Sequence, residues 1–468
     1  MGDCCNEAAV NTTRISNTHV LLGRQGITQP FQEVIFQLGQ RFELAEDHVG
    51  HCRCSKSLYA PSVRRLILFP PMDAVSSGTS QANRSRSNRG VGIVTAADSR
   101  ERSLGQLHVY DGEGKGKSQA ALGVVLRTIG LGICEQRRTR VLLLRFLKGP
   151  GRAYDEDAAI EALQQGFPHL IDQVRTGRGD YFSVDEVKRF DRQEAQRGWD
   201  IAKGAIASAL YSVVVLDELN PVLDLGLLET EDVIRSLKSR PEGMEIIVTG
   251  RGAPRPLVEI ADLHSEMRAH RRPEVDNNAA LSFVTVGGIE IYTGEGKGKS
   301  TSALGKALQA IGRGISQDKS HRVLILQWLK GGSGYTEDAA IAALRESYPH
   351  LVDHLRSGRD AIVWRGQQQP IDYVEAERAW EIARAAIASG LYKTVILDEL
   401  NPTVDLELLP VEPIVQALLR KPTETEVIIT GRCKHQPAYF DLASVHSEMV
   451  CHKHYAEQGV DLKRGVDY

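Results

Sequence analysis

Aromatic side chains are scarce in this chain, 6% of its 468 residues, and positive charge is in no surplus, with 57 Lys and Arg against 60 Asp and Glu. Recognition of nucleic acid relies on clustered basic residues and, for single strands, on stacking rings. Nucleic acid is therefore not an expected partner. Long apolar runs are also missing. None approaches the roughly 18 residues that cross a bilayer, which predicts a soluble protein with no membrane contact. The seven cysteines (Cys4, Cys5, Cys52, Cys54, Cys134, Cys433 and Cys451) include no CxxC pair, so neither a zinc site nor a disulfide framework is expected. Acidic residues almost vanish from 52–103, where only Asp73, Asp98 and Glu101 interrupt a stretch rich in Arg and Ser. Residues 1–104 are accordingly predicted to be a low-complexity, disordered extension. Its composition fits a plain linker or an organelle transit segment, which places the protein in the cytoplasm or, with a transit role, in the plastid stroma.

What the chain does have is the string GEGKGKS, twice. It occupies Gly112, Glu113, Gly114, Lys115, Gly116, Lys117 and Ser118, and again Gly294, Glu295, Gly296, Lys297, Gly298, Lys299 and Ser300, the second followed by Thr301. A short apolar run precedes each copy (Leu107-His108-Val109-Tyr110; Ile289-Glu290-Ile291-Tyr292), and an Ala- and Leu-rich helical pattern follows. Strand, glycine-rich turn and helix start stand in the order a phosphate cradle requires. A triphosphate needs several N–H donors converging on it, and only glycine lets backbone amides come that close. Lys117 and Lys299 would add a movable positive charge, and the hydroxyls of Ser118 and Ser300 would ligate magnesium. The general template G-x-x-x-x-G-K-[ST] asks for glycine where Asp111 and Thr293 stand. The loop is thus a variant, shorter by one residue.

The repetition reaches far beyond the loop. A shift of 182 residues carries Lys117 onto Lys299 and Leu147-Lys148-Gly149 onto Leu329-Lys330-Gly331. A shift of 181 carries Glu156-Asp157 onto Glu337-Asp338, Leu216-Asp217-Glu218-Leu219-Asn220-Pro221 onto Leu397-Asp398-Glu399-Leu400-Asn401-Pro402, and Thr249-Gly250-Arg251 onto Thr430-Gly431-Arg432. The chain reads as a tandem duplication, with a first domain at 105–272, a linker at 273–283 and a second domain at 284–468. Apolar runs without alternation at 323–329, 394–397 and 427–429 suit strands buried on both faces of a parallel sheet. Helical patterns lie between them at 337–345, 372–389 and 411–419, and Asp372 with Glu375, like Asp191 with Glu194, marks the start of a long helix. The expected fold class is α/β: two tandem P-loop NTPase-like, RecA-like three-layer domains with mostly parallel sheets. Asp217-Glu218 and Asp398-Glu399 end buried strands, the place where doubly wound sheets bind ligands, so these carboxylates are candidate magnesium ligands.

In this order, residues 293–300, Gln327-Trp328-Leu329-Lys330-Gly331, Leu397-Asp398-Glu399-Leu400, Ile429-Thr430-Gly431-Arg432 and Gly465-Val466-Asp467-Tyr468 resemble the ATP:corrinoid adenosyltransferases of the cobalamin pathway. The shortened loop is that family's own version. The resemblance implies that Co(I) of a reduced corrinoid attacks the 5′ carbon of ATP and expels triphosphate, with ATP and magnesium as cofactors and a reductase as electron-donating partner. It implies catalytic roles for Lys299 and Glu399 beside the departing phosphates, and an aromatic platform under the corrin in the stretch 356–371, which holds Trp364. The matching stretch of the first copy, 175–190, holds Tyr181, Phe182 and Ser183 instead. Family members often work as dimers, so the resemblance and the two copies together suggest an intramolecular pseudo-dimer or a homodimer. The second copy keeps Thr301 and Gly465-Val466-Asp467-Tyr468, where the first has Gln119 and a polar linker, and is expected to hold the better site. Two other readings remain open: an ATP-binding module that has lost the corrinoid, and an ordinary NTPase in which Arg251 or Arg432 serves catalysis.

Overall fold

A computed structural model describes residues 105–135, 139–150, 152–178, 184–272 and 287–468. The expectations for 1–104, for Tyr181, Phe182 and Ser183, and for the linker 273–283 lie outside the described residues. In the first repeat the order is β1 (Leu107–Asp111), α1 (Lys117–Glu135), β2 (Val141–Arg145), α2 (Asp155–Gly166), β3 (Ile171–Arg175), α3 (Arg189–Ser208), β4 (Val213–Asp217), α4 (Leu219–Asp224), α5 (Thr230–Lys238), β5 (Glu245–Thr249), α6 (Arg255–Ile260) and β6 (Leu263–Arg271). The second repeats it with β7 (Ile289–Thr293), α7 (Lys299–Ser316), β8 (Arg322–Gln327), α8 (Glu337–Ser347), β9 (Val352–Arg356), α9 (Pro370–Ser389), β10 (Tyr392–Asp398), α10 (Leu400–Asp405), α11 (Val411–Arg420), β11 (Glu426–Thr430) and β12 (Val445–Lys453).

The α/β expectation holds, and the two halves share one sheet. Its order is β3-β2-β4-β5-β1-β6-β12-β7-β11-β10-β8-β9. Every pairing is parallel except the central one, where β6 runs antiparallel to β12 with Met267 opposite Met449. That pair lies on a pseudo-two-fold axis relating the repeats. Strands such as Val141–Arg145 and Val213–Asp217 are buried along their whole length, because helices cover both faces of a parallel sheet. One core draws on both repeats, uniting Tyr110, Leu126 and Met267 with Tyr292, Leu308 and Met449. The opposite face of the first repeat closes over Trp199, Leu216, Leu237 and Val248. No helix among the described residues is long and apolar enough to cross a membrane.

The long helices start slightly earlier than Asp191 and Asp372 suggest. Each aspartate sits three residues inside its helix boundary and accepts the backbone N–H of Lys188 or Gln369 at 2.8 Å. The carboxylate satisfies an end-of-helix donor by reaching backwards.

Two histidines, the buried His321 and the largely covered His354, are expected to make the fold acid-sensitive. Burial, reinforced by Arg356, pushes His354 down to about 3, and burial with Arg313 pushes His321 down to about 4. A histidine neutral when folded but free to protonate when unfolded contributes its full stability above its unfolded value near 6.5, and loses it as pH falls toward the folded value. Each should cost on the order of 2 kcal/mol by pH 5. The melting temperature is expected to drop steeply between pH 7 and pH 5, and His354→Gln should flatten that slope in thermal scans.

Candidate functional site

The second loop, residues 294–300, joins β7 to α7. Gly294 and Gly298 have φ of 100° and 126°, which an L side chain rarely adopts. A Cβ on Gly294 would also lie 2.4 Å from the Met449 carbonyl. The close approach serves a purpose: the Gly296 N–H donates to that carbonyl oxygen at 2.7 Å and ties the loop to β12. Lys299 then folds over the turn, its Nζ donating to Gly296 O at 2.6 Å. Burial, only partly offset by Glu399, pulls its pKa down to about 8.

At the end of β10 the two acidic residues divide their work. Asp398 is buried and takes hydrogen bonds from Thr430 (2.6 Å), Gln327 (2.8 Å) and Lys330 (2.6 Å). Burial alone would raise its pKa, but Lys330 above all, with Thr430 and Gln327, outweighs it and holds the carboxylate ionised. Its oxygens are committed to protein donors. Glu399 adopts φ 64° with its N–H on Thr430 Oγ1 at 3.1 Å, and its Oε1 accepts the Ser300 hydroxyl at 3.2 Å. Ser300 and Glu399 therefore offer a hydroxyl and a carboxylate, the hard oxygen ligands magnesium takes. No cluster of three or more His, Cys, Asp or Glu able to hold a metal occurs among the described residues. An ion on this pair would complete its shell with phosphate oxygens and water.

Three other predicted loop residues point elsewhere. Glu295 pairs with Arg432 at 3.2 Å on the exposed rim. Lys297 is buried in the seam between the repeats, bonded to Asp467 and to the Tyr455 hydroxyl at 3.0 Å. Thr301 is buried, its Oγ1 accepting from Arg127 of the first repeat at 3.3 Å.

The first loop, residues 112–118, repeats the scaffold. Lys117 Nζ reaches Gly112 O (2.7 Å) and Gly114 O (2.6 Å), and burial lowers it to about 8 as well. Lys148 and Thr249 hold Asp217 at 2.5 and 2.6 Å. Against burial, Ser118 helps to lower the pKa of Asp217, after Lys148 and Thr249, and Glu218, at φ 61°, is pushed up by burial and the neighbouring Asp217 against the pull of Lys148. Lys115 pairs with Glu290 of the other repeat at 3.6 Å, Glu113 with Arg251 and Arg272 at 3.4 and 3.0 Å, and the Gly116 carbonyl accepts from Ser302 at 3.0 Å.

Trp364 stands 61% exposed in the segment before α9, with Ile362 at 72% and Ile371, Tyr373 and Val374 at 44–56%. This is unlike the buried Trp328 and Trp380 of the same repeat. In the first repeat Phe190, the counterpart of Ile371, and Val184 are exposed. The Asn-Pro after each acidic pair is structural. Asn220 and Asn401 donate to Gly250 O (3.0 Å) and Gly431 O (3.1 Å), pinning the end of the next strand. Lys148, Lys330, Thr249 and Thr430 carry the anchoring of the aspartates; no motif assigns them that role, and the repeated Leu-Lys-Gly and Thr-Gly-Arg strings that contain all four are the signal for it.

A family model described as ATP:corrinoid adenosyltransferase BtuR/CobO/CobP matches the chain twice, over residues 103–281 and 285–468. An uncharacterized protein of Nostoc sp. is 72% identical over 380 residues, covering 81% of this chain and 99% of that protein. A corrinoid adenosyltransferase of Pseudomonas aeruginosa is 33% identical over 205 residues, 44% of this chain and 95% of its own length. One from Escherichia coli is 32% identical over 210 residues, 45% of this chain and 100% of its own. Each of these two enzymes is thus matched along nearly its whole length by under half of this chain.

Proposed function

The chain belongs to the ATP:corrinoid adenosyltransferase BtuR/CobO/CobP family, and from that premise we propose that its second loop binds ATP and directs transfer of the 5′-deoxyadenosyl group to the Co(I) of a reduced corrinoid. The cobalt supplies the electron pair, a Co–C bond forms at C5′, the C5′–O bond breaks, and triphosphate leaves with the bonding electrons. A separate reductase keeps the corrinoid substrate reduced. No protein base is needed, because no proton moves at the reacting carbon.

The observation that carries this reading is the pairing of Ser300 with Glu399 at 3.2 Å beside the buried Lys299. Loop amides and the Lys299 ammonium would stabilise charge growing on the departing triphosphate, in a site poor in water where such contacts count most. Magnesium held by Ser300 and Glu399 would neutralise part of the same charge. Asp398 serves as an ionised anchor that keeps Lys330 and Glu399 in place. The exposed Trp364 with Ile362, Ile371, Tyr373 and Val374 supplies an apolar platform suited to a corrin face. In the same reading the two repeats form an intramolecular pseudo-dimer, and light scattering should return the mass of a single chain, 51.5 kDa.

Incubation with ATP and a reduced corrinoid should give a light-sensitive cobalt–carbon product and one triphosphate per product. ADP or phosphate instead would point to an ordinary NTPase. Bound nucleotide with no product would mark a binding module.

A further inference from the structure

Building on the proposed function, we infer that the molecule keeps one complete nucleotide site, at the second loop, and that Arg127 of the first repeat is a positioning residue for it, acting through Thr301 and the segment 463–468.

The argument rests on where the pseudo-symmetry breaks. Arg127 lies buried on α1 and donates to Glu337 (3.3 Å), Thr301 Oγ1 (3.3 Å), Val466 O (3.4 Å) and Asp467 O (2.6 Å). Its symmetry mate is Gln309, which meets Gln119 (3.5 Å) and Glu156 (3.2 Å), the counterparts of Thr301 and Glu337. The guanidinium missing at Gln309 is replaced from inside the first repeat, where Arg145 pairs with Glu156 at 3.1 Å. Arg145 in turn corresponds to Gln327. Each buried glutamate has a guanidinium from its own repeat, Arg145 for Glu156 and Arg356 at 3.8 Å for Glu337, but only Glu337 receives a second one across the seam. The exchange ties the second loop to the first repeat through a buried guanidinium, whereas the first loop meets the second repeat through Lys115 with Glu290, Ser302 with Gly116 O and Gln119 with Gln309.

Segment 463–468 widens the difference. It crosses onto the first repeat, where Thr128 of α1 donates to Gly465 O at 2.9 Å and Lys463 meets Glu245 at the start of β5 at 2.6 Å. Asp467 neutralises Lys297, a member of the second loop. On the other side of the axis Lys115 is neutralised by Glu290, whose own symmetry mate is His108. No Gly-Val-Asp-Tyr follows β6 in the sequence. The loop that has Thr301, Arg127 and Asp467 around it is the one whose serine hydroxyl reaches the strand-end glutamate, Glu399 at 3.2 Å. A buried guanidinium with four acceptors fixes the first turn of α7, and through it the direction of Ser300.

The test uses the full chain. Magnesium-ATP titrated calorimetrically should bind at one site per wild-type chain. Arg127→Gln should weaken that binding about tenfold or more and raise KM for ATP with KM for the corrinoid unchanged, and Arg127→Lys should recover part of the loss. Asp467→Asn should weaken binding too, and combined with Arg127→Gln should add little, since both act through one network. In hydrogen exchange without nucleotide, Arg127→Gln should speed exchange in 294–301 and 463–468 and leave 112–118 as in wild type. If Arg127→Gln does not fold, Arg127→Lys and Asp467→Asn carry the same comparison. Two equivalent ATP sites, no nucleotide binding at all, or wild-type affinity and exchange in these variants would each overturn the inference. ATP binding without an adenosylated product would instead overturn the proposed reaction, and the binding and exchange results would still decide the role of Arg127.

Discussion

Lys299→Ala is expected to slow adenosyl transfer by about two to three orders of magnitude, the scale of losing one preorganised donor to a developing anion. The ammonium has little else to do. Its partner in the structure is Gly296 O at 2.6 Å, a loop carbonyl it can exchange for a phosphate oxygen, and burial has lowered its pKa to about 8. The same burial that makes the cation costly in isolation makes its contact with a polyanion strong. A pH effect follows with a definite sign. A lysine whose pKa is lowered gives up its proton as pH rises through that value, so ATP affinity should fall above about pH 8 and hold steady below it. Bound triphosphate favours the cation and should shift the midpoint upward. Stopped-flow triphosphate release at saturating corrinoid, with ATP affinity measured in parallel from pH 6.5 to 9.5, checks both. Lys117→Ala should cost less than Lys299→Ala. The reverse order would assign the reaction to the first loop.

Much of this site can be read from the sequence because duplication prints each element twice. The loops, the strands ending in Asp217-Glu218 and Asp398-Glu399, and the parallel α/β fold all come from local strings. Chemistry and geometry coincide there: a glycine-rich turn after an apolar run has few other uses. The division of labour inside the acidic pair is not local. Whether Asp398 or Glu399 faces the loop depends on Lys330, Thr430 and Gln327, which come from two neighbouring strand ends. Lys297 illustrates the limit more sharply. Its place within GEGKGKS makes it a phosphate ligand by motif, yet its amine is spent on Asp467, 170 residues away. The seam itself was hidden for the same reason. β6 alternates and both strands lose burial toward their ends, and nothing in either strand alone announces that its partner is the other repeat's equivalent.

That seam sets the second large effect. The loop helices α1 and α7 cross at Gly123 and Gly305, where an added Cβ would lie 2.0 Å from the backbone carbonyl oxygen of Thr301 or Gln119. Further along, Gly130 and Gly312 meet Thr336 O and Asp155 O at 1.8 and 1.9 Å in the same sense. A flexible side chain could move aside for a methyl group. A backbone carbonyl in the first turn of the opposing helix cannot move without dragging the loop before it. Gly305→Ala is therefore expected to destabilise the chain by about 3 kcal/mol, although alanine is the better helix former. Gly204, on α3 with nothing within 4 Å of its would-be Cβ, supplies the opposite case: Gly204→Ala should stabilise by about 0.5–1 kcal/mol. Because Tyr110, Met267, Tyr292 and Met449 share one core, urea should unfold both repeats in a single transition in every variant. Gly305→Ala should move its midpoint down without splitting it. Two separate transitions, or a Gly305→Ala midpoint equal to wild type, would mean that the repeats stand as independent domains and that the helix crossing carries no strain.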